Sequence, residues 1–348
     1  MNIPSRQVSP LLVALALALG LSATASGQAL KTARGELLLP SAEGGSYVRS
    51  ADGQGVELPL PKAARVSDLR STATGWFAAA VARDQGTPAL RLFRGHGETV
   101  EALPSPASAP ARELLQPIFV AGRDEIQGLI WLAGEAHHQL AVTAARWSGG
   151  SWSDPEIVSP PGKGTQIALS SALLDDGSWL VVWAAFDGTD DEIVWSRRSA
   201  GSWSPPRPVA RGNAVPDITP HLFATPGGAL VAWSRYDGND YRVNVARFDG
   251  EAWSPPTVVG PKGSTAPAFS DTDAPYLVHH LADPQAWAVL ELDRSGHVLR
   301  EASAEVPVPG RPILARVSSE GVVFEWPSLE SPKSTAPLRW IERTSDRR

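Results

Sequence analysis

Apolar runs of strand length alternate with short polar turns along almost the whole chain, and helical periodicity is missing. Between 217 and 259, "ITPHLFA" ends at the turn "TPGG", "ALVAWSRY" ends at "DGND", and "YRVNVARF" ends at "DGE" before "WSPPTVV". Runs of this length, broken by Gly, Pro, Asp and Asn roughly every 8–12 residues, predict consecutive antiparallel hairpins. The preceding segment repeats the order as "IALSSALL", "SWLVVWAAF", "EIVWSRR" and "SWSPPRPV".

The pattern has a period. Trp152, Trp203 and Trp253 recur at intervals of 51 and 50 residues, and Trp131, Trp183 and Trp233 precede them in step. Arg146, Arg197 and Arg247 each stand six residues before the later Trp, within a shared phrase of the form GxWSxP. Four strands per unit of about 50 residues is the signature of a β-propeller blade. Fainter units lie on either side, one of them placing His280 where Trp233 stood. The expected fold is all-β, a six-bladed propeller with seven blades as the alternative count. Its ring is expected to close through one composite blade, built from the N-terminal "VELPL" and the C-terminal "LRWIER". Such closure removes the exposed sheet edge. The Trp of each phrase is expected to pack between neighbouring blades, and its Pro suits an outermost strand with a free edge.

Composition changes the picture at three points. Arg6, the apolar run "LLVALALALGL" and the small-residue exit "ATASG" read as a secretory signal over 1–27, too short in its apolar part for a membrane span. A single propeller domain over 28–348 would then be secreted or periplasmic, with no membrane insertion once the signal is cleaved. The chain has no Cys, which excludes disulfides, thiolate catalysis and thiolate metal sites. Its net charge of −6 gives no basic face for a nucleic-acid partner.

The repeat resembles that of the sialidase-like propellers, whose Asp-box reads Ser-x-Asp-x-Gly-x-Thr-Trp. Gly149 and Gly250 match the Gly, with Ala200 in the middle unit; Ser151 and Ser202 match the Ser/Thr position, with Ala252 departing. Trp147, Arg198 and Phe248 occupy the position of the diagnostic Asp. The resemblance implies the fold. Neither the Arg-Ile-Pro motif of sialidases nor a context for a tyrosine nucleophile accompanies it, so it implies no catalytic residue.

The common catalytic motifs are missing, among them HExxH, the G-x-S-x-G elbow and the phosphate-binding P-loop. The pairs His137–His138 and His279–His280 would point to opposite faces of a strand, which does not suit one metal. The candidates are the loops between second and third strands, with Asp187 and Asp190 in "FDGTDDE" and Tyr236, Asp237 and Asp240 in "YDGND". Oxygen-rich loops can hold Ca²⁺ or sugar hydroxyls, although Asp-Gly is also ordinary turn chemistry. His221, in the place of Ser171, is expected beside them at the channel mouth. These features fit an exported non-catalytic propeller that binds a small hydroxylated ligand, a glycan or a protein, without a cofactor apart from Ca²⁺ as an option. A sialidase-like glycan hydrolase and a sugar-binding lectin are the alternatives.

Overall fold

The computed structural model describes residues 30–40, 45–50, 53–107, 111–210, 213–305, 311–326 and 334–342. The expected signal over 1–27 lies outside them. No helix among the described residues is long and apolar enough to cross a membrane. Seven antiparallel sheets follow one another along the chain, each built of sequential hairpins, which makes the protein a seven-bladed β-propeller. The innermost strands are Leu30–Lys31, Arg65–Thr72, Glu113–Ala121, Gln166–Leu173, Asp217–Thr225, Ser264–Phe269 and Ile313–Val317, one per blade.

The count of six and the composite blade are both corrected. "VELPL" belongs to blade 1, whose strands Leu30–Lys31, Leu37–Pro40, Ser46–Arg49 and Gly55–Glu57 pair in order. "LRWIER" divides between two sheets: Ser334–Arg339 is the third strand of blade 7, while Ile341–Glu342 adds an outer edge to blade 6 by pairing with Glu301 and Arg300. The apolar run "LLLP" (37–40) supplies the strand that the six-blade count lacked. The ring therefore closes between blades 7 and 1 through side chains. Lys31 Nζ donates to the Leu314 and Ala315 carbonyls at 3.1 and 2.9 Å, and Arg49 pairs with Glu325 at 3.8 Å.

Elsewhere the blades are joined by apolar clusters, and both Trp series lie in them. Trp131, Trp183 and Trp233 are fully buried, each in the cluster shared with the preceding blade. Trp152, Trp203 and Trp253 are half-buried at the outer edge of the same three clusters, as the periodicity implies. The Ser that follows each of them explains the rest of the phrase. Ser153, Ser204 and Ser254 accept the backbone N–H of Arg146, Arg197 and Arg247, each at 3.0 Å, and donate their own N–H to the same arginine's carbonyl. Two polar backbone groups of an outer strand are thus satisfied by one residue in each unit. Gly149–Gly150 and Ala200–Gly201 turn those hairpins with both central residues at positive φ, the backbone of a type I′ turn.

Candidate functional site

The inner strands share a second device. In six blades the register of the first strand slips against the second, between Val66 and Asp68 in blade 2 and at the matching place in blades 3 to 7. In the middle four blades the first bulged residue is Gln116, Ala168, Thr219 or Ala266, each at a positive φ of 48–58°. Bulges of this kind re-aim the strand and free its backbone groups for other partners. The residue after the bulge uses that freedom to reach the next blade. Asp68 accepts from Phe119 N at 2.7 Å, Ser170 from Leu222 N at 2.9 Å, and His221 Nδ1 from Phe269 N at 3.3 Å.

This register corrects two alignments. His221 corresponds to Ser170, not Ser171, because the turn between first and second strands is one residue shorter in blade 5 than in blade 4; Ser171 turns instead to the Phe119 carbonyl at 2.9 Å. In blade 6 the residue opposite the bulge is His279, fully buried, while His280 pairs with Thr265 and meets Trp287 edge-on. His279 therefore stands where Trp233 stood.

The inner strands enclose a channel of about 380 Å³, lined by residues from all seven blades. Its walls are mostly apolar, with Ile118, Ile167, Leu169, Ile218, Phe269 and Ile313 among them. Charged groups interrupt that wall unequally. Arg70 is ion-paired to Asp68 at 3.0 Å, and Asp68 beside it holds the guanidinium above its usual pKa. Arg311 donates to the Ala266 carbonyl and lies 5.5 Å from the centre of the Trp287 ring, and burial lowers its pKa to about 10. Burial, with Arg70 and Arg311 adding to it, drives His221 to a pKa of about 3, so the ring is neutral. With Nδ1 accepting from Phe269, its proton belongs on Nε2, which is left as a donor.

Of the acidic-loop residues, Asp191 lines the channel. Burial, followed by Asp190 and Asp187, raises its pKa to about 6. Glu192 next to it is raised to about 7 by burial and then by Asp217 and Asp190. The sequence candidates themselves lie behind this front. Asp187 Oδ1 accepts from Thr189 N and Asp190 N, and Asp237 Oδ1 accepts from Asn239 N and Asp240 N, so each shapes its own turn. Asp237 also pairs with Arg242 at 3.3 Å, Asp240 with Lys262 at 2.7 Å, and Tyr236 Oη donates to the Gly238 carbonyl at 3.0 Å. Asp190 is buried against the blade 5 junction. Only His221 of the six expected residues is among those lining the channel. Among the described residues, no three His, Asp or Glu side chains are grouped so as to hold a metal ion.

Sequence reading placed the acidic loop "FDGTDDE", to which Asp191 belongs, at one end of the channel, but it missed Arg70, Asp68 and Arg311 as channel residues. Each departs from the repeat at its position, so the signal was present, but it could be read only after the bulges had been placed. A second, smaller cavity of about 220 Å³ opens in blade 4 beside Trp183, Phe186, Pro206 and Pro208. There Gln166 faces Ala185 in the register; in blade 5 the same positions hold Asp217 and Arg235, joined by two hydrogen bonds of 2.7 and 2.6 Å. The two blades therefore do not present equivalent pockets.

No protein-family model matches the chain, and no curated protein matches it in sequence. Solved structures match it in fold. An ulvan lyase of polysaccharide lyase family PL25 aligns with a TM-score of 0.52 at 10% identity, over 78% of this chain and 73% of its own. A puromycin-hydrolyzing peptidase from Mycobacterium tuberculosis aligns with a TM-score of 0.51 at 14% identity, over 95% of this chain and 53% of its own. A protein of unknown function from Dyadobacter fermentans aligns at 13% identity and a TM-score of 0.47, over 91% of this chain and 94% of its own. At these identities the likeness is one of fold, and the sialidase resemblance rests on the repeat phrases alone.

Proposed function

We propose that this protein is an exported binding propeller whose central channel takes a small hydroxylated ligand. The observation that carries the reading is the composition of the channel wall. A largely apolar surface from seven blades is interrupted by a few oriented polar groups, which is the usual make-up of a small-molecule site. The Nε2–H of His221 and the guanidinium of Arg311 are donors suited to ligand hydroxyl or carboxylate oxygens, and Asp191 is the acceptor facing them in the same cavity. Apolar patches such as Ile118 and Phe269 suit the C–H face of a sugar ring. Export rests on the leader-like sequence of residues 1–27.

Titration calorimetry with a panel of neutral monosaccharides and hexuronates tests this. At least one compound should bind, and Arg311→Gln should weaken it tenfold or more, with a melting temperature close to that of the parent. Binding that survives both Arg311→Gln and His221→Leu, or no binding across the panel, removes the channel from consideration.

One observation favours a glycan-active enzyme as the second reading. A channel carboxyl with a pKa near 6 is poised to act as a general acid close to neutral pH. Release of reducing ends from a polysaccharide, lost in Asp191→Asn, would support that reading over simple binding.

A further inference from the structure

Behind Asp191, at the junction of blades 4 and 5, carboxylates outnumber cations among the described residues. Asp187, Asp190, Asp191 and Glu192 come from the blade 4 loop and strand, and Asp217 opens the first strand of blade 5. Arg235 is committed to Asp217 through both of its hydrogen bonds there. Asp190 is 8% exposed and Asp217 1%, so neither charge is dispersed by solvent. Asp190 Oδ2 and Glu192 Oε2 are buried and accept no hydrogen bond from the described residues. Each of these groups feels its neighbours: Asp187 and Asp217 act on Asp190, and Asp217 and Asp190 act on Glu192. A buried acceptor left without a donor costs free energy, and a charged one costs more. An arrangement of this kind is stabilised by a cation that brings donors.

The geometry selects the kind of cation. A Ca²⁺ ion needs six or more oxygens converging at about 2.3–2.6 Å, and no such convergence of three acidic side chains occurs among the described residues. An ammonium group has a different requirement, because its three donors point apart and reach separate acceptors at about 2.7–2.9 Å. Tyr236 and Tyr241, with ring centres 5.2 Å apart, border the same junction, and Tyr241 is within electrostatic range of Asp191. Aromatic faces attract organic cations. Asp191 is the member of the cluster that lines the channel, so a cation held there is continuous with whatever occupies the channel.

We infer that the blade 4–blade 5 acid cluster is an ammonium subsite of the central channel, so that the ligand class is an amine-bearing polyol such as an amino sugar. This rests on the reading of the channel as a ligand site. Asp191 accepts the ammonium from the channel side with the charge of Asp190 behind it, and the ring hydroxyls extend toward His221 and Arg311.

Calorimetry at pH 7 with D-glucosamine and D-glucose as probes tests the subsite separately from the channel. Glucosamine should bind at least tenfold more tightly than glucose. Asp191→Asn should bring glucosamine down to the affinity that the same variant shows for glucose, with a melting temperature close to that of the parent showing that it is folded. A tenfold preference for glucosamine kept in the variant would overturn the subsite. Equal affinity for the two sugars would overturn the ammonium subsite and leave the channel reading standing. Failure of both sugars to bind would overturn both. A calcium chloride titration with saturable binding that is lost in Asp190→Asn would overturn the ammonium in favour of a metal ion.

Discussion

The repeat assigns different work to residues that look alike. Trp183 is fully buried, and its Nε1 donates to Gln166 Oε1 at 2.9 Å, whereas Trp203 is half-buried and meets Trp179 edge-on at 6.1 Å. Trp183→Ala should therefore cost about 3–5 kcal/mol, as large-to-small core changes do, and Trp203→Ala should cost distinctly less. Urea denaturation of the two variants checks the order. The arginines also divide. Arg197 pairs with Asp176 and donates to Ser178 Oγ at 2.9 Å, so its side chain ties the turn at 175–178 to the outer strand. Ala200 occupies the positive-φ position that Gly149 fills in the preceding blade, with φ of 49° and 58° respectively. Left-handed backbone costs an L-residue about 1 kcal/mol. Ala200→Gly should accordingly leave stability unchanged or raise it slightly, against the usual penalty of adding glycine.

At the scale of the element, the bulged inner strand is the unit that builds both the ring and the channel. It breaks the ladder in six of the seven blades, and at three junctions the side chain after the bulge accepts a backbone N–H of the next blade. Its neighbour in blade 4, the third strand Asp191–Ser199, begins with the two carboxyls that burial raises to about 6 and 7. A raised acid binds its proton more tightly in the folded state than in the unfolded one, so folding is favoured while that proton is held. This contribution is present below about pH 4 and is lost as pH rises through 6 to 7. Groups such as Asp176, Asp237 and Asp249, whose pKa values hydrogen bonds lower, act in the opposite sense below pH 4. Neutral His221 opposes this up to about pH 6.5, where the unfolded imidazole loses its proton, so the melting temperature should decline chiefly between about pH 6.5 and 7.5 in the parent protein. Glu192→Gln should flatten that slope, and a parallel slope in the variant would count against the assignment.

For the whole molecule, the point of closure differs from the other blade junctions. Blades 3, 4 and 5 are joined by clusters that each contain a fully buried Trp. Blades 7 and 1 are linked by the Lys31 hydrogen bonds and the Arg49–Glu325 pair. The Arg49–Glu325 pair is long at 3.8 Å and contributes little beside a cluster holding a buried Trp, so this junction is the expected first point of opening. Nearby, the C-terminal segment fastens blade 7 to blade 6. Trp340 stacks on Tyr276 at 6.1 Å, lies under Arg300 at 4.6 Å, and donates to the Ser318 carbonyl at 2.9 Å. Hydrogen exchange should show strands of blades 1 and 7 exchanging before those of blades 3 to 5. Lys31→Met should widen that difference, and uniform exchange around the ring would contradict the seam.

The blade repeat was legible in the sequence because it is written in local terms: alternation of period two, turn residues with fixed conformational needs, and large apolar side chains at one interval. Trp152, Trp203 and Trp253 marked the junctions between blades, where Trp131, Trp183 and Trp233 also lie. The number of blades was not legible, since the terminal units carry neither Trp series and their strands pair according to what lies beside them in space. "LLLP" and "LRWIER" could each complete several sheets, and only the closed ring chose among them. The channel was hidden for a related reason. The turn between the first two strands is one residue shorter in blade 5 than in blade 4, which sets His221 in register with Ser170, and only the strand pairing shows it. Residues as far apart as Arg70, Asp191 and Arg311 were brought around one cavity by that closure. Asp187 and Asp237, the most conspicuous acids in the sequence, hydrogen-bond to backbone within their own loops, because a carboxylate next to free N–H groups is satisfied locally before it can reach a ligand.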